Sequence, residues 1–427
     1  YIYRGLMLDL ARHYLSIVEL KKIIDIMATH KLNTLRLHLS DDEAWRIELD
    51  KYPQLIQYGA TRGFRQILGA ANLIENDHIK IDDIYTHFYT KYEIMDLINY
   101  ANNKQITIIP EIDMPSHARA LKKSLANIMF DSTDLSEYES VAFYNDNVLP
   151  ICKYDTIDGF TYTINEIIKN VADLFANQNT LYAVNHEISI GGDELPQHAF
   201  DKSIYCNIGV WHNKNNLGRE QLFIKKIIHN LPDYHISVYQ DTVLEPLNKN
   251  DFKNQLLDHD YNSMPHIWYW KPYNIRHKSN ITKNYLGAIT SNMDYKQNNK
   301  IIAFANYAYL DIRQSNLFND VGLYWSTDHI STIDAFNLYK LPLNALGVEA
   351  SLWTELIPNL DTAYFMLLPR LSAIAEASWS YANLNNIQNL RVIDDIKIKN
   401  NFITRLGNKQ QGFLYYLNKK HGIGIVH

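Results

Sequence analysis

What this chain lacks narrows its class before any motif is read. It has only two cysteines, Cys152 and Cys206, so no disulfide framework is available; a single bridge between them stays open, and the redox compartment with it. No apolar run reaches the length of a membrane span, and residues 1 to 20 lack the charged-then-apolar layout of a signal peptide. The chain opens directly on a first strand, which leaves room for an upstream leader or domain to have been removed. A basic run is also missing, and the net charge of -6 is spread along the chain, which argues against nucleic acid as a partner. No internal repeat, low-complexity tract or linker interrupts it. What is abundant is aromatic, with 30 tyrosines and 7 tryptophans. Part of that is core, but Trp and Tyr also form flat apolar walls with a polar edge, a surface suited to gripping sugar faces.

Short apolar runs alternate with helical periodicity. Arg4–Asp9 reads as a strand that stops in charged residues, and Ser16 with Glu19 reads as a capping box ahead of Ile17, Leu20, Ile23, Ile24 and Met27. Further strands are expected at Thr34 to Asp42, Ile106 to His117, Ile188 to Gly191, His235 to Tyr239, His266 to Trp270, Ile301 to Asn306 and Gly347 to Trp353. Thr90 with Glu93 and Thr163 with Glu166 read as capping boxes for two more helices. Eight strands with helices between them predict an α/β fold, a parallel sheet closed into a (β/α)8 barrel over residues 1–385. Its last helix is expected from about Thr362 to Ser380, and residues 386–427 read as one or two extra helices packed on the barrel. Nearly every strand ends in acids, His, Trp or Tyr, and the C-terminal rim is where such barrels carry their chemistry.

The run at 188–196 organises the rest. An apolar strand ends in Gly191 and Gly192, and Asp193 and Glu194 follow side by side. Neighbouring residues at a strand end point in different directions, so one carboxyl can face a reacting bond while the other faces another part of the same substrate. The glycines admit backbone conformations closed to other residues and leave room for close approach. Two acids behind a glycine pair also describe a solvated turn, and only the surroundings decide.

Those surroundings carry a resemblance. Arg4–Asp9 with Ala11–His13, His38–Asp42, Pro110–His117, Gly191–Glu194, Tyr309–Asp311, Gly347–Glu355 and Pro369–Trp379, in that order, resemble the family 20 glycoside hydrolases, the β-N-acetylhexosaminidases, over essentially the whole chain. The resemblance implies an exo-acting, retaining enzyme that removes terminal β-linked N-acetylglucosamine or N-acetylgalactosamine from oligosaccharides or glycoconjugates. It implies substrate assistance: the acetamido carbonyl oxygen attacks C1 and gives an oxazolinium ion that water opens, without an enzyme nucleophile. Glu194 takes the role of general acid/base, with a pKa expected to be raised by burial, and Asp193 that of partner to the acetamido N–H. Tyr309 would orient the acetamido oxygen, Asp311 bind the amide side and Glu355 the ring hydroxyls; singly, each also reads as a structural tyrosine or a surface acid.

Arg12 offers a planar fork of donors for sugar hydroxyls, against the alternative of a core salt bridge. Asp41 and His117 match the family's supporting relay near the acid, and Asp113 lies four residues before that histidine. A metal site is the rival reading of this cluster, but the family implies neither metal nor cofactor. Trp270, Trp325 and Trp353 fit aromatic walls around the terminal sugar, and Trp268 reads equally as core. At the end of the fifth strand this chain has Tyr239 where the family usually has tryptophan, which predicts a pocket roomier near the acetamido methyl. The resemblance also implies a small α+β domain ahead of the barrel, which this chain lacks, and a secreted, periplasmic or lysosome-like setting rather than a cytoplasmic one. An enzyme of the same family with another linkage preference, for chitin oligomers, β-1,6-linked N-acetylglucosamine polymer or lacto-N-biose, would share these residues. A non-catalytic sugar-binding barrel is the alternative class, against which the intact Asp193 and Glu194 argue.

Overall fold

The computed structural model describes residues 1–62, 85–154, 156, 159–243, 264–271, 299–315, 317, 321–340, 345–384 and 392–423. All eight expected strands are present: β1 (Tyr3–Asp9), β2 (Thr34–His38), β3 (Thr107–Glu111), β4 (Glu187–Ser189), β5 (His235–Tyr239), β6 (Ile267–Tyr269), β7 (Lys300–Ile302) and β8 (Gly347–Leu352). They close into a barrel in sequence order, with β1 beside β8, and the ladders are parallel. No helix among the described residues is long and apolar enough to cross a membrane. The chain forms two compact units: a central one of Leu8–Ile17 and Leu35–Trp268, and a terminal one of Tyr1–Met7, Val18–Thr34 and Tyr269–His427.

In the central unit Glu111 lies opposite Ser189, Ile188 opposite Ile236, and Tyr239 opposite Trp268. The helix Lys91–Asn102 begins at the expected box, Thr90 with Glu93, and buries Ile94, Leu97, Ile98 and Ala101 at helical spacing. The second box is corrected. The helix Phe160–Leu174 starts a turn earlier, capped by Gly159 in the left-handed region, which leaves Thr163 buried inside the helix. Glu166 instead meets Lys51 at 2.6 Å. Cys152 and Cys206, left open by the sequence, are bonded to each other, and the chain between them contains that helix, β4, Asp193 and Glu194.

In the terminal unit the helix Ile17–Thr29 buries Leu20, Ile23, Ile24 and Met27, as the periodicity predicts. Gly347 lies opposite Ile301 and Val348 opposite Ile302. The Tyr3 N–H donates to the Leu346 carbonyl at 3.2 Å, and the Tyr3 hydroxyl donates to Glu349. The single helix expected from Thr362 to Ser380 is two, Leu360–Leu367 and Arg370–Leu384. Pro369 stands at the break, where it supplies no N–H to continue the ladder. Arg370 is fully buried; its Nη1 donates to the Ile312 and Ile330 carbonyls and its Nη2 to those of Leu310 and Met366. The extra helices are Val392–Gly407 and Phe413–His421. Phe402 stacks on Phe336 with centroids 4.3 Å apart, and Phe413 meets His30 edge-on at 4.9 Å. These helices belong to the same compact unit as Tyr269–Leu384, and the boundary expected between 385 and 386 lies outside the described residues.

Candidate active site

In the central unit the site is built where β4 ends. Gly191 and Gly192 have φ of +64° and +82°, and a Cβ on Gly191 would lie 2.1 Å from Asp113 Oδ1. Only glycine allows that approach, and it lets the Gly192 N–H donate to Asp113 Oδ1 at 3.1 Å. Glu194 and His117 also have positive φ, +53° and +51°. That region is costly for side-chain-bearing residues, and such strain concentrates at functional sites. His117 Nε2 lies 3.4 Å from Glu194 Oε2; its Nδ1 is 3.5 Å from Asp41 and 3.3 Å from Asp42. The expected Asp41, His117 and Glu194 therefore form one chain.

Asp193 and Glu194, in the loop after β4, differ in burial. The Asp193 residue is 7% exposed, whereas the Glu194 side chain is 26% exposed. The burial expected of Glu194 is thus found at Asp193, whose carboxyl is pushed up to about 6 by that burial, with the neighbouring Glu194 and Asp241 charges adding to it and His117 opposing. Asp113 is also raised well above its ordinary range, by burial and then by the charge of Asp193. Two buried carboxyls in one region do not both ionise readily. Asp193 Oδ1 and Asp113 Oδ2 are buried without a hydrogen-bond partner among the described residues.

Arg12 is buried, and its fork reaches three carboxylates: Nη2 to Asp41 at 2.8 Å, Nε to Glu43 at 3.0 Å and Nη1 to Asp9 at 3.4 Å. Burial alone would raise the Asp41 carboxyl; the charges of Arg12 and His117 and the hydrogen bond of His38 hold it well below its ordinary range. The Asp41 carboxylate is in this way compensated by protein cations.

Tyr239 is corrected. It has no exposed surface; its hydroxyl accepts from Arg36 Nη1 at 2.8 Å and donates to Glu111 Oε1 at 3.4 Å. The Arg36 guanidinium also lies 4.1 Å from the centroid of the Trp268 ring, which places Trp268 in the core. Sequence reasoning missed this layer, made of Arg36, His38 and Glu111. The signal was present in the period-two alternation: Arg36 and His38 share the inward face of β2, and inward charges need partners.

The terminal unit carries the aromatic residues. Trp270 and Tyr309 stack with centroids 6.2 Å apart and an interplanar angle of 18°. Trp325 stands edge-on to both, at 5.9 and 5.8 Å, and Trp353 is 6.2 Å from Tyr309. Half of the Trp325 surface is exposed, which leaves an aromatic face open. The Trp325 indole N–H donates to Asp311 Oδ2 at 3.3 Å. Burial pushes the Asp311 carboxyl up to about 8, with the Glu355 charge adding to it, and Asp311 Oδ1 is buried without a partner among the described residues. The expected Trp270, Tyr309, Asp311, Trp325, Trp353 and Glu355 therefore gather in one unit, with Asp311 joined to the aromatic cluster through Trp325 and Glu355 acting on Asp311 through its charge.

A barrel with an acid pair after its fourth strand and a tryptophan cluster following its later ones is a (β/α)8 protein with its chemical residues at the C-terminal ends of its strands, where such enzymes carry their sites. The chain is a member of glycosyl hydrolase family 20: the profile of that family's catalytic domain matches residues 1–382. It is 30% identical over 388 residues to a β-hexosaminidase of Vibrio furnissii, covering 87% of this chain and 56% of the relative. To the N,N'-diacetylchitobiase of Vibrio harveyi it is 24% identical over 490 residues, covering 96% and 53%. The crystal structure of a family 20 exo-β-N-acetylglucosaminidase from Vibrio harveyi, in complex with N-acetylglucosamine, superposes with a TM-score of 0.71 at 28% identity, covering 93% of this chain and 57% of that one. The chain thus spans little more than half the length of these relatives.

Proposed function

We propose that the protein is an exo-acting, retaining β-N-acetylhexosaminidase that hydrolyses terminal β-linked N-acetylglucosamine or N-acetylgalactosamine. The observation that carries this reading is the pair at 193–194: a buried carboxyl with an oxygen lacking a partner beside a partly exposed one linked to a histidine. Asp193 accepts the acetamido N–H and stabilises the positive charge that develops there. The acetamido carbonyl oxygen forms a bond to C1 as the bond from C1 to the leaving oxygen breaks, and Glu194 gives its proton to that oxygen. Water then attacks C1 of the oxazolinium ion as the bond from C1 to the acetamido oxygen breaks, Glu194 takes the proton from water, and the β configuration is restored. In this scheme Tyr309 orients the acetamido oxygen, the tryptophans carry apolar sugar faces, and Asp311 and Glu355 hold polar groups of the sugar. Arg12 orders the acids around it as well as offering donors to hydroxyls.

Release of 4-nitrophenol from its β-N-acetylglucosaminide, compared with the plain β-glucoside, tests the reading. Fast cleavage of the first alone, with strong inhibition by a thiazoline analogue of the intermediate, is the expected result. Equal cleavage of both would reject substrate assistance, and no cleavage of either would favour a non-catalytic sugar-binding barrel. A panel of defined oligosaccharides then separates linkage preferences.

A further inference from the structure

Behind the acid and its relay, the central unit contains a histidine with a carboxylate at each ring nitrogen. His38 Nδ1 lies 2.7 Å from Glu111 Oε1, and its Nε2 lies 2.9 Å from Asp41 Oδ2. A neutral imidazole carries one N–H and one lone pair, so a neutral His38 would aim a lone pair at a carboxylate. Both nitrogens must donate, which makes the ring an imidazolium.

The surrounding charges fit that state. Glu111 also accepts from Arg36 and from the Ser189 hydroxyl, and Asp41 from Arg12; His117 and Asp113 stand further along the same layer. Burial works against a charged ring, yet the hydrogen bonds and charges of Asp41 and Glu111 overcome it and raise His38 to about 10.

We infer that His38 is a positioning residue for the acid catalyst: a fixed imidazolium that, by donating to Asp41, orients that carboxylate toward His117 and so sets the proton supply at Glu194. The inference rests on Glu194 being the general acid. It gives β2 a part in the reaction that an inward-facing core histidine would not have.

The test is His38→Gln in the full chain, assayed on N-acetylglucosaminides whose phenol leaving groups span a range of acidity, across pH. Removing the cation leaves Glu194 a weaker acid held less firmly. The expected result is a fall in kcat of about tenfold or more for the poorest leaving group and a much smaller one for the best, with KM nearly unchanged. The basic limb of the kcat/KM profile should move to higher pH, because Glu194 keeps its proton longer. An equal loss for all leaving groups with an unmoved limb would overturn the inference and leave His38 a brace in the core. Glu194→Gln, assayed alongside, separates the two failures: if it too shows no leaving-group dependence, the acid assignment falls; if it does and His38→Gln does not, only the role of His38 falls. Should His38→Gln not fold, the nitrogen resonances of the His38 ring in the wild-type protein at about pH 8.5, well above the ordinary histidine range, decide: a doubly protonated ring is expected, and a neutral ring overturns the inference.

Discussion

Asp193 and Glu194 are adjacent in sequence and differ in surroundings, and that difference defines what substitution should do. Glu194→Gln removes the transferable proton and keeps the shape, so poor leaving groups should lose about 10²-fold or more in kcat while good ones lose less; an equal loss would count against Glu194 as the acid. Tyr239→Phe takes a partner from both Arg36 and Glu111, and it should cost roughly 1 kcal/mol or somewhat more in urea unfolding. The N-propionyl to N-acetyl preference should stay unchanged, and a shift in that ratio would restore Tyr239 to a pocket wall. The residue types at the site and their order were legible because each sits at a strand end in a short motif. Their partners were not legible: that Arg12 reaches Glu43, or that Tyr239 meets Arg36, depends on which residues the barrel brings together across 31 and 203 positions of sequence.

At the scale of elements, the strands were readable because each is a short apolar run with a chemical residue at its end. The helix boundaries were less so. Thr163 and Glu166 have the spacing of a capping box, but the apolar face of the helix begins at Phe160, and its burial sets the start instead. Arg370, one turn beyond the broken end of Leu360–Leu367, holds the Leu310 and Ile312 carbonyls on either side of Asp311. Arg370→Met leaves four buried carbonyls short of a donor, and a loss of about 3 kcal/mol or more is expected from unfolding curves. A change within a few tenths of a kcal/mol would mean that water replaces the guanidinium. The Cys152–Cys206 bond closes a loop of 54 positions, and replacing both cysteines by serine should cost roughly 2–4 kcal/mol. Limited proteolysis should then cut between 152 and 206 first.

For the whole molecule, the shifted groups set how stability varies with pH. Asp193 and Asp311 have folded values of about 6 and about 8 against an ordinary 3.8, so their contribution is fully present below pH 3.8 and is lost as pH rises through those values. His38 acts in the same direction, its contribution being complete below 6.5 and lost as pH rises through about 10. Glu111, lowered to about 2, contributes above 4.5 and loses this as pH falls through 2; His30, lowered to about 4, contributes above 6.5. Between pH 6.5 and 8 the shifts of Asp311 and His38 run one way, the native state binding more protons and stability falling as pH rises; Lys122, lowered by burial to about 8, opposes them at higher pH. Calorimetry at fixed ionic strength should show Tm declining over that interval, and Asp311→Asn should make the decline shallower. A Tm that rises from pH 6.5 to 8 would contradict these assignments.

The ladder that joins β1 to β8 has a consequence for how the molecule is made. Tyr3 and Glu349 are 346 positions apart, whereas the loop entropy of closing so long a span exceeds that of a fifty-residue span by only about 2 kcal/mol, since it grows with the logarithm of length. The cost in equilibrium is small; the cost in time is larger, because distant pairings form slowly. On a ribosome, β1 is the first strand of the barrel to emerge and one of its two neighbours the last. Throughout that interval it offers a bare row of N–H and C=O groups beside apolar side chains, the arrangement that recruits foreign strands. The species of this protein most prone to aggregate is therefore the unfinished chain, and slowing translation downstream of β7 should increase insoluble product while leaving the completed barrel no less stable.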